Sequence, residues 1–245
     1  MKINKETRVW DIASTYPKTV DIFVNYAIDF CCKGYKSLEI TAEEFELNLE
    51  DFIAEIKASI KAQEENKDFD VNVSLDKVIT SVTHLDDEIN ESITQINFFA
   101  KKVATVHGWH TPSLIELKDV TIQLTEAVNE HLEKAKDWIY KDAIKLVNWE
   151  KVENKLKAQT TRLQQEHFSF GISLDKITEL TNNFTPPSDA CNSYKILFSK
   201  LEEFKVNVMK HANINNYTVH PKLLELNWEW EEESGSCGCS GGSCN

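Results

Sequence analysis

Apolar positions recur every three to four residues along most of the chain, the pattern of amphipathic helices packed against one another. The longest such segment spans about 74–106 and sets Val78, Val82, Leu85, Ile89, Ile93, Ile96, Ala100 and Val103 on one broad face. A second opens at Thr111 and Pro112, a helix-start pair, and its seam runs Leu117, Leu124, Val128, His131, Ala135, Trp138. The third carries Val152, Leu156, Leu163, His167, Phe170, Leu174 and Ile177, with Gly171 inside it. The fourth follows Pro186-Pro187-Ser188, with its seam at Leu197, Leu201, Phe204, Val208, His211 and Asn215. Four amphipathic segments with short connections predict an antiparallel four-helix bundle over residues 74–226.

Residues 1–62 predict a smaller helical unit. Trp10, Ile12 and Ala13 form a short apolar turn, and Pro17 opens a helix carrying Val20, Ile22, Phe23 and Tyr26. The adjacent Cys31 and Cys32 then fall near a helix end, with Gly34 as the stop signal. Thr41 and Glu44 have capping-box spacing ahead of a helix bearing Phe52, Ile53, Ile56 and Ile60. The charged residues 63–73 read as a linker. Residues 227–245, acidic and then rich in Gly, Ser and Cys, are expected to be a disordered tail.

Composition agrees with an all-α class. The 245 residues include only 7 Gly and 5 Pro, which favours long uninterrupted helices. A net charge of −13 without any Lys/Arg run argues against a nucleic-acid partner. The N-terminal stretch lacks the apolar core of a signal peptide and no segment reaches membrane-spanning length, so a cytoplasmic location with no membrane contact is expected. Six Cys fall as the Cys31–Cys32 pair, Cys191, and the group Cys237, Cys239 and Cys244. Such grouping points to redox or metal chemistry more than to a disulfide framework. The tail group has a Cys-x-Cys suited to chelating a soft metal, although an uncommitted tail explains it equally well.

The polar residues on the seams carry the candidate chemistry. One histidine on an apolar face is most simply a core residue with a hydrogen-bond partner. His131, His167 and His211 are three, one per helix and each mid-helix, so antiparallel packing brings them to a common level. Neutral imidazole is the commonest metal ligand, and bundle cores are recurrent metal sites. The first helix contributes Asp86 on the Val82–Ile89–Ile93 side, whereas His84 points the other way. A core-facing carboxylate needs a partner or a metal. Asp86 therefore reads as the natural fourth metal ligand; the plainer alternatives are a solvated edge residue or a partner of one of the histidines.

The segment DIASTYPKTVDIFVNYAIDFCCKGYKSL resembles the N-terminal domain of the iron–sulfur cluster repair di-iron proteins. KKVATVHGWHTPSL and LTNNFTPPSDAC resemble the same family's bundle, and the likeness covers about residues 7–221. The resemblance implies a hemerythrin-like bundle, iron as cofactor, iron–sulfur proteins as clients, and a role in oxidative or nitrosative stress. It also implies redox or metal-transfer roles for Cys31 and Cys32. The family's ligand histidines fall on His131, His167 and His211, and its helix-one histidine falls on Asp86. Its two bridging glutamates fall on Ala135 and Asn215, neither of which is a carboxylate. Two adjacent irons need bridging anions, so one Fe(II) or Zn(II) suits this set better than a di-iron centre. A scaffold that has lost its metal, an oxygen or nitric oxide sensor, and a homodimeric state stay open. No nucleophile–base pair or phosphate loop marks a conventional enzyme.

Overall fold

The computed structural model describes residues 1–26, 28–31, 33–65, 74–152 and 155–226. The bundle is built from α5 (Leu75–His107), α6 (Ser113–Lys134), α8 (Leu156–Leu180) and α9 (Asn192–Ile214). Each buries the apolar stripe read from the sequence: Val82, Ile89, Ile96 and Val103 from α5, Leu117, Leu124 and Val128 from α6, Leu163, Phe170 and Leu174 from α8, and Leu197, Leu201, Phe204 and Val208 from α9. Paired contacts fix the direction of each neighbour. Asn97 meets Thr125 while Asp86 meets Tyr140, and Glu116 meets Lys176 while His131 meets Glu166. Thr178 meets Lys205 while His167 meets Asn216, so adjacent helices are antiparallel.

The second bundle helix is longer than the periodicity alone suggests. Beyond Lys134 it passes through a π-helical stretch, Ala135–Tyr140, and continues as α7 (Lys141–Val147). A second π stretch, Asn215–Val219, follows α9, and residues 220–226 are helical. Such wide turns often occur at functional sites. Both begin four residues after a seam histidine.

The N-terminal unit contains α1 (Val9–Thr15), α2 (Val20–Asn25), α3 (Leu38–Glu44) and α4 (Leu49–Glu65). Two expectations need correction here. Thr41 does not open a helix: it lies within α3, whose N-cap is Ser37, accepting from the Ile40 N–H at 3.3 Å. The next helix is capped by Asn48, whose Oδ1 accepts from Glu50 and Asp51. Cys31 is not at a helix end either, because α2 stops at Asn25 and Cys31 sits in the following loop. Gly34 is small there for a different reason. Its carbonyl accepts from the Trp10 N–H, and a Cβ on it would lie 2.4 Å from the Phe30 carbonyl oxygen and 2.9 Å from the Trp10 Cβ. The loop thus supplies carbonyls to the first turn of α1, whose N–H groups have no intrahelical acceptor.

The apolar residues of this unit, including Ile12, Phe23, Phe30 and Ile56, form one cluster with the bundle half that holds Ile89, Val128, Phe170 and Val208. The Trp10 and Tyr217 rings lie 5.1 Å apart, and Lys33 pairs with Asp175 on α8 at 2.6 Å. A separate apolar cluster at the other end gathers Leu75, Val82, Ile139, Leu163 and Val219. The seam histidines are the polar layer between the two. No strand, and no helix long and apolar enough to cross a membrane, occurs among the described residues. The expected linker is described only as far as the end of α4. The remainder of it, the tail with Cys237, Cys239 and Cys244, and Cys32 lie outside the described residues.

Candidate metal centre

His131, His167 and His211 are each 1% exposed, and their rings meet in the bundle core. The Nε2 of His131 lies 2.9 Å from that of His167 and 3.1 Å from that of His211. Each Nδ1 faces outward onto an oxygen. That of His131 donates to Glu166 at 2.9 Å, that of His167 to the Asn216 side-chain Oδ1 at 2.8 Å, and that of His211 to Asp86 at 2.5 Å.

With the rings neutral, these three bonds place the proton of each on Nδ1. A neutral imidazole has one N–H and one lone pair, and an acceptor at Nδ1 puts the proton there. All three Nε2 atoms are then lone-pair donors directed at one another. Burial, followed by the neighbouring imidazoles, holds His131 and His167 well below the ordinary histidine range, so both rings are neutral. Three converging lone pairs repel unless a proton or a metal ion lies among them. Ligand nitrogens about 2.05 Å from one ion, at angles between square and tetrahedral, are separated by roughly 2.9–3.4 Å. The observed 2.9 and 3.1 Å fit that range.

Asp86 is buried on the inward face of α5, but it stands outside the group of Nε2 atoms. One carboxylate oxygen accepts from His211, and the other accepts from the Tyr140 hydroxyl at 3.0 Å. It matches the carboxylate–histidine arrangement that orients a ligand and raises its basicity. The sequence made Asp86 the fourth ligand; in this structure its carboxylate pairs with His211. Tyr140 in turn is held well above its ordinary range by burial and by Asp86, and remains a hydroxyl donor.

Ala135 and Asn215 occupy the fourth position after His131 and His211, and both are buried. The Asn215 amide donates to the His211 carbonyl at 3.0 Å and to the Tyr140 hydroxyl at 3.2 Å, while its Oδ1 has no partner. Neither residue brings an anion to the cluster. The donor set is therefore three nitrogens without a bridging group.

Four further residues at or beside the site were not assigned to it from the sequence. Glu166 is only partly buried and is shared with Lys134, which makes it look like a surface residue on a helical wheel. Tyr140, Asn216 and His220 lie on or just after the π stretches, where a regular wheel assigns the wrong phase. His220 is 1% exposed with no hydrogen-bond partner at either nitrogen, and burial pushes its pKa down to about 3. Cys31 is buried in the loop before α3, and its N–H donates to the Asp29 carboxylate. It shares a cavity of about 290 Å³ with Trp10, His167, Asn216 and Tyr217.

Residues 5–60 match the family model ScdA_N, whose description is "Domain of Unknown function (DUF542)". Along most of its length the chain is similar to proteins named for iron–sulfur cluster repair. The probable iron-sulfur cluster repair protein of Haemophilus influenzae is 27% identical over 222 residues, covering 89% of this chain and 97% of that protein. ScdA of Staphylococcus haemolyticus is 28% identical over 227 residues, covering 90% and 99%. YtfE of Yersinia pestis is 24% identical over 217 residues, covering 87% and 94%. The likeness thus takes in both the cysteine-bearing unit and the bundle.

Proposed function

We propose that this chain is an iron-binding protein of the iron–sulfur cluster repair type, and that its bundle holds a single ion on His131, His167 and His211. The observation that carries the reading is the convergence of three Nε2 lone pairs whose tautomers are set by outward acceptors. When bound, iron supplies a redox-active and exchangeable cation. The protein's part is to keep His131 and His167 neutral by burial and to hold the three ring angles through Glu166, Asn216 and Asp86. Apolar clusters above and below exclude bulk water from the layer. Without carboxylates at 135 and 215, nothing offsets the repulsion of a second adjacent cation, which favours one ion over two.

The cavity common to Cys31 and His167 supports a transfer role for the N-terminal cysteine unit. A thiolate is a soft donor suited to passing iron to or from a nitrogen site, or to engaging the cysteine-ligated cluster of a client protein. In this reading the clients are iron–sulfur proteins damaged by oxidative or nitrosative stress.

Anaerobic iron loading followed by metal analysis tests the proposal. One iron per chain is expected, lost in His131→Ala, His167→Ala and His211→Ala. Two irons with an oxo-bridge absorption would refute the single-ion site. Metal content indifferent to all three histidines would remove the site altogether. Cys31→Ser is expected to leave the bound iron in place while slowing its delivery to an apo iron–sulfur acceptor.

A further inference from the structure

The ends of α6 and α9, with the π stretches that follow them, repeat one design. In each, a seam histidine is followed four residues later by the start of a π stretch, at Ala135 and Asn215. In each, the ninth residue after the histidine is a buried polar ring, Tyr140 in one and His220 in the other. Nine residues of straight α-helix turn by about 900°, which would set that ring on the opposite face. A π turn absorbs an extra residue and brings it back toward the histidine's side. Tyr140 uses this placement, because its hydroxyl joins Asp86 and Asn215 beside His211.

His220 is the counterpart on the other flank. Its ring lies 6.5 Å from that of His167, with an interplanar angle of 12°. Unlike Tyr140, it makes no hydrogen bond: both nitrogens are buried without a partner. An imidazole in such a place forfeits its N–H and its lone pair together, and an apolar ring of the same size would cost less. Its position beside three converging imidazoles points to a partner that is not a protein group. The three Nε2 atoms leave a tetrahedral ion one donor short. Asp86, the residue that sequence reasoning put there, is committed to His211 and Tyr140.

We propose that His220 is the fourth nitrogen donor of the centre, swinging onto the ion held by His131, His167 and His211. This rests on the metal-centre reading above. The closed set is four imidazoles on one divalent cation, a donor set of nitrogen alone. It also accounts for the second π stretch, which keeps position 220 on the flank of the site.

The test uses the full chain loaded anaerobically with Co(II), whose visible absorption reports coordination number. Wild type is expected to give the intense bands of a four-coordinate ion. His220→Phe, which keeps ring volume in the core, is expected to shift and weaken those bands and to lower Co(II) affinity at least tenfold. A folded His220→Phe protein with unchanged bands and affinity overturns the proposal. Should that variant not fold, a crystal structure of the Zn(II)-loaded wild type decides. A His220 nitrogen about 2.1 Å from the ion supports it, and His220 remote from the ion overturns it. Co(II) binding indifferent to His131, His167 and His211 sinks the metal-centre reading itself, and this proposal with it. That result is distinct from a three-histidine site that ignores His220.

Discussion

The Oδ1 of Asp86 lies 2.5 Å from the Nδ1 of His211, on the side of the ring away from the other imidazoles. In the proposed metal centre, that contact makes Asp86 the orienting partner of His211. The Tyr140 hydroxyl holds the second carboxylate oxygen at 3.0 Å and fixes its direction. Replacing an orienting partner typically weakens metal binding about 10–100-fold. Asp86→Asn should therefore retain a metal with reduced affinity, whereas His211→Ala should lose it. Competition titration against a chelator distinguishes the two, and equal loss in both variants would make Asp86 a ligand after all.

Restoring carboxylates at the two vacant positions should change the stoichiometry. Ala135→Glu combined with Asn215→Glu puts an anion four residues after each of His131 and His211. The double variant is expected to bind two irons per chain and to develop an oxo-bridge absorption that the parent lacks. Its metal-free form should unfold at lower denaturant, since two carboxylates are then buried without a cation. Iron analysis and denaturation on the same preparation check both halves.

The metal-free chain should lose stability as pH falls below about 6.5, the ordinary value for histidine in an unfolded chain. Burial keeps His131 and His167 far below that value and holds His220 at about 3. Between those limits the unfolded state binds protons that the folded state refuses, so stability rises with pH. The maximum slope is about 1.4 kcal/mol per pH unit for each histidine. Denaturation midpoints at pH 7.5 and 5.5 read the effect directly. Identical midpoints would mean that the three rings are not held neutral.

Gly34 makes a sharper structural prediction. Its missing Cβ is the space occupied by the Phe30 carbonyl and the Trp10 side chain. Gly34→Ala forces backbone apart at the loop that carries Cys31, with a cost of about 1–3 kcal/mol. A lowered unfolding midpoint is expected, together with faster alkylation of Cys31, which is only 2% exposed in the native fold.

Much of this architecture is written in local pattern. The 3.6-residue spacing of Val82, Ile89, Ile96 and Val103, and of the matching sets on the other helices, determines four amphipathic elements. It also determines that His131, His167 and His211 point inward, because a buried stripe cannot turn without exposing its apolar members. The scarcity of Gly and Pro keeps those elements long. The absence of carboxylates at Ala135 and Asn215 is likewise a fact of sequence.

What only the tertiary structure decided lies where the helical period changes or where two helices must meet. The π stretches at Ala135–Tyr140 and Asn215–Val219 break the 100° step, so a wheel drawn from the sequence misplaces Tyr140, Asn216 and His220. Glu166 and His131 come from different helices, and no spacing within either one records their 2.9 Å contact. Asp86 shows the boundary most clearly. Its inward direction follows from the periodicity of α5, but its partner is set by packing against α9, which brings its carboxylate to the outer nitrogen of His211 and away from the Nε2 cluster.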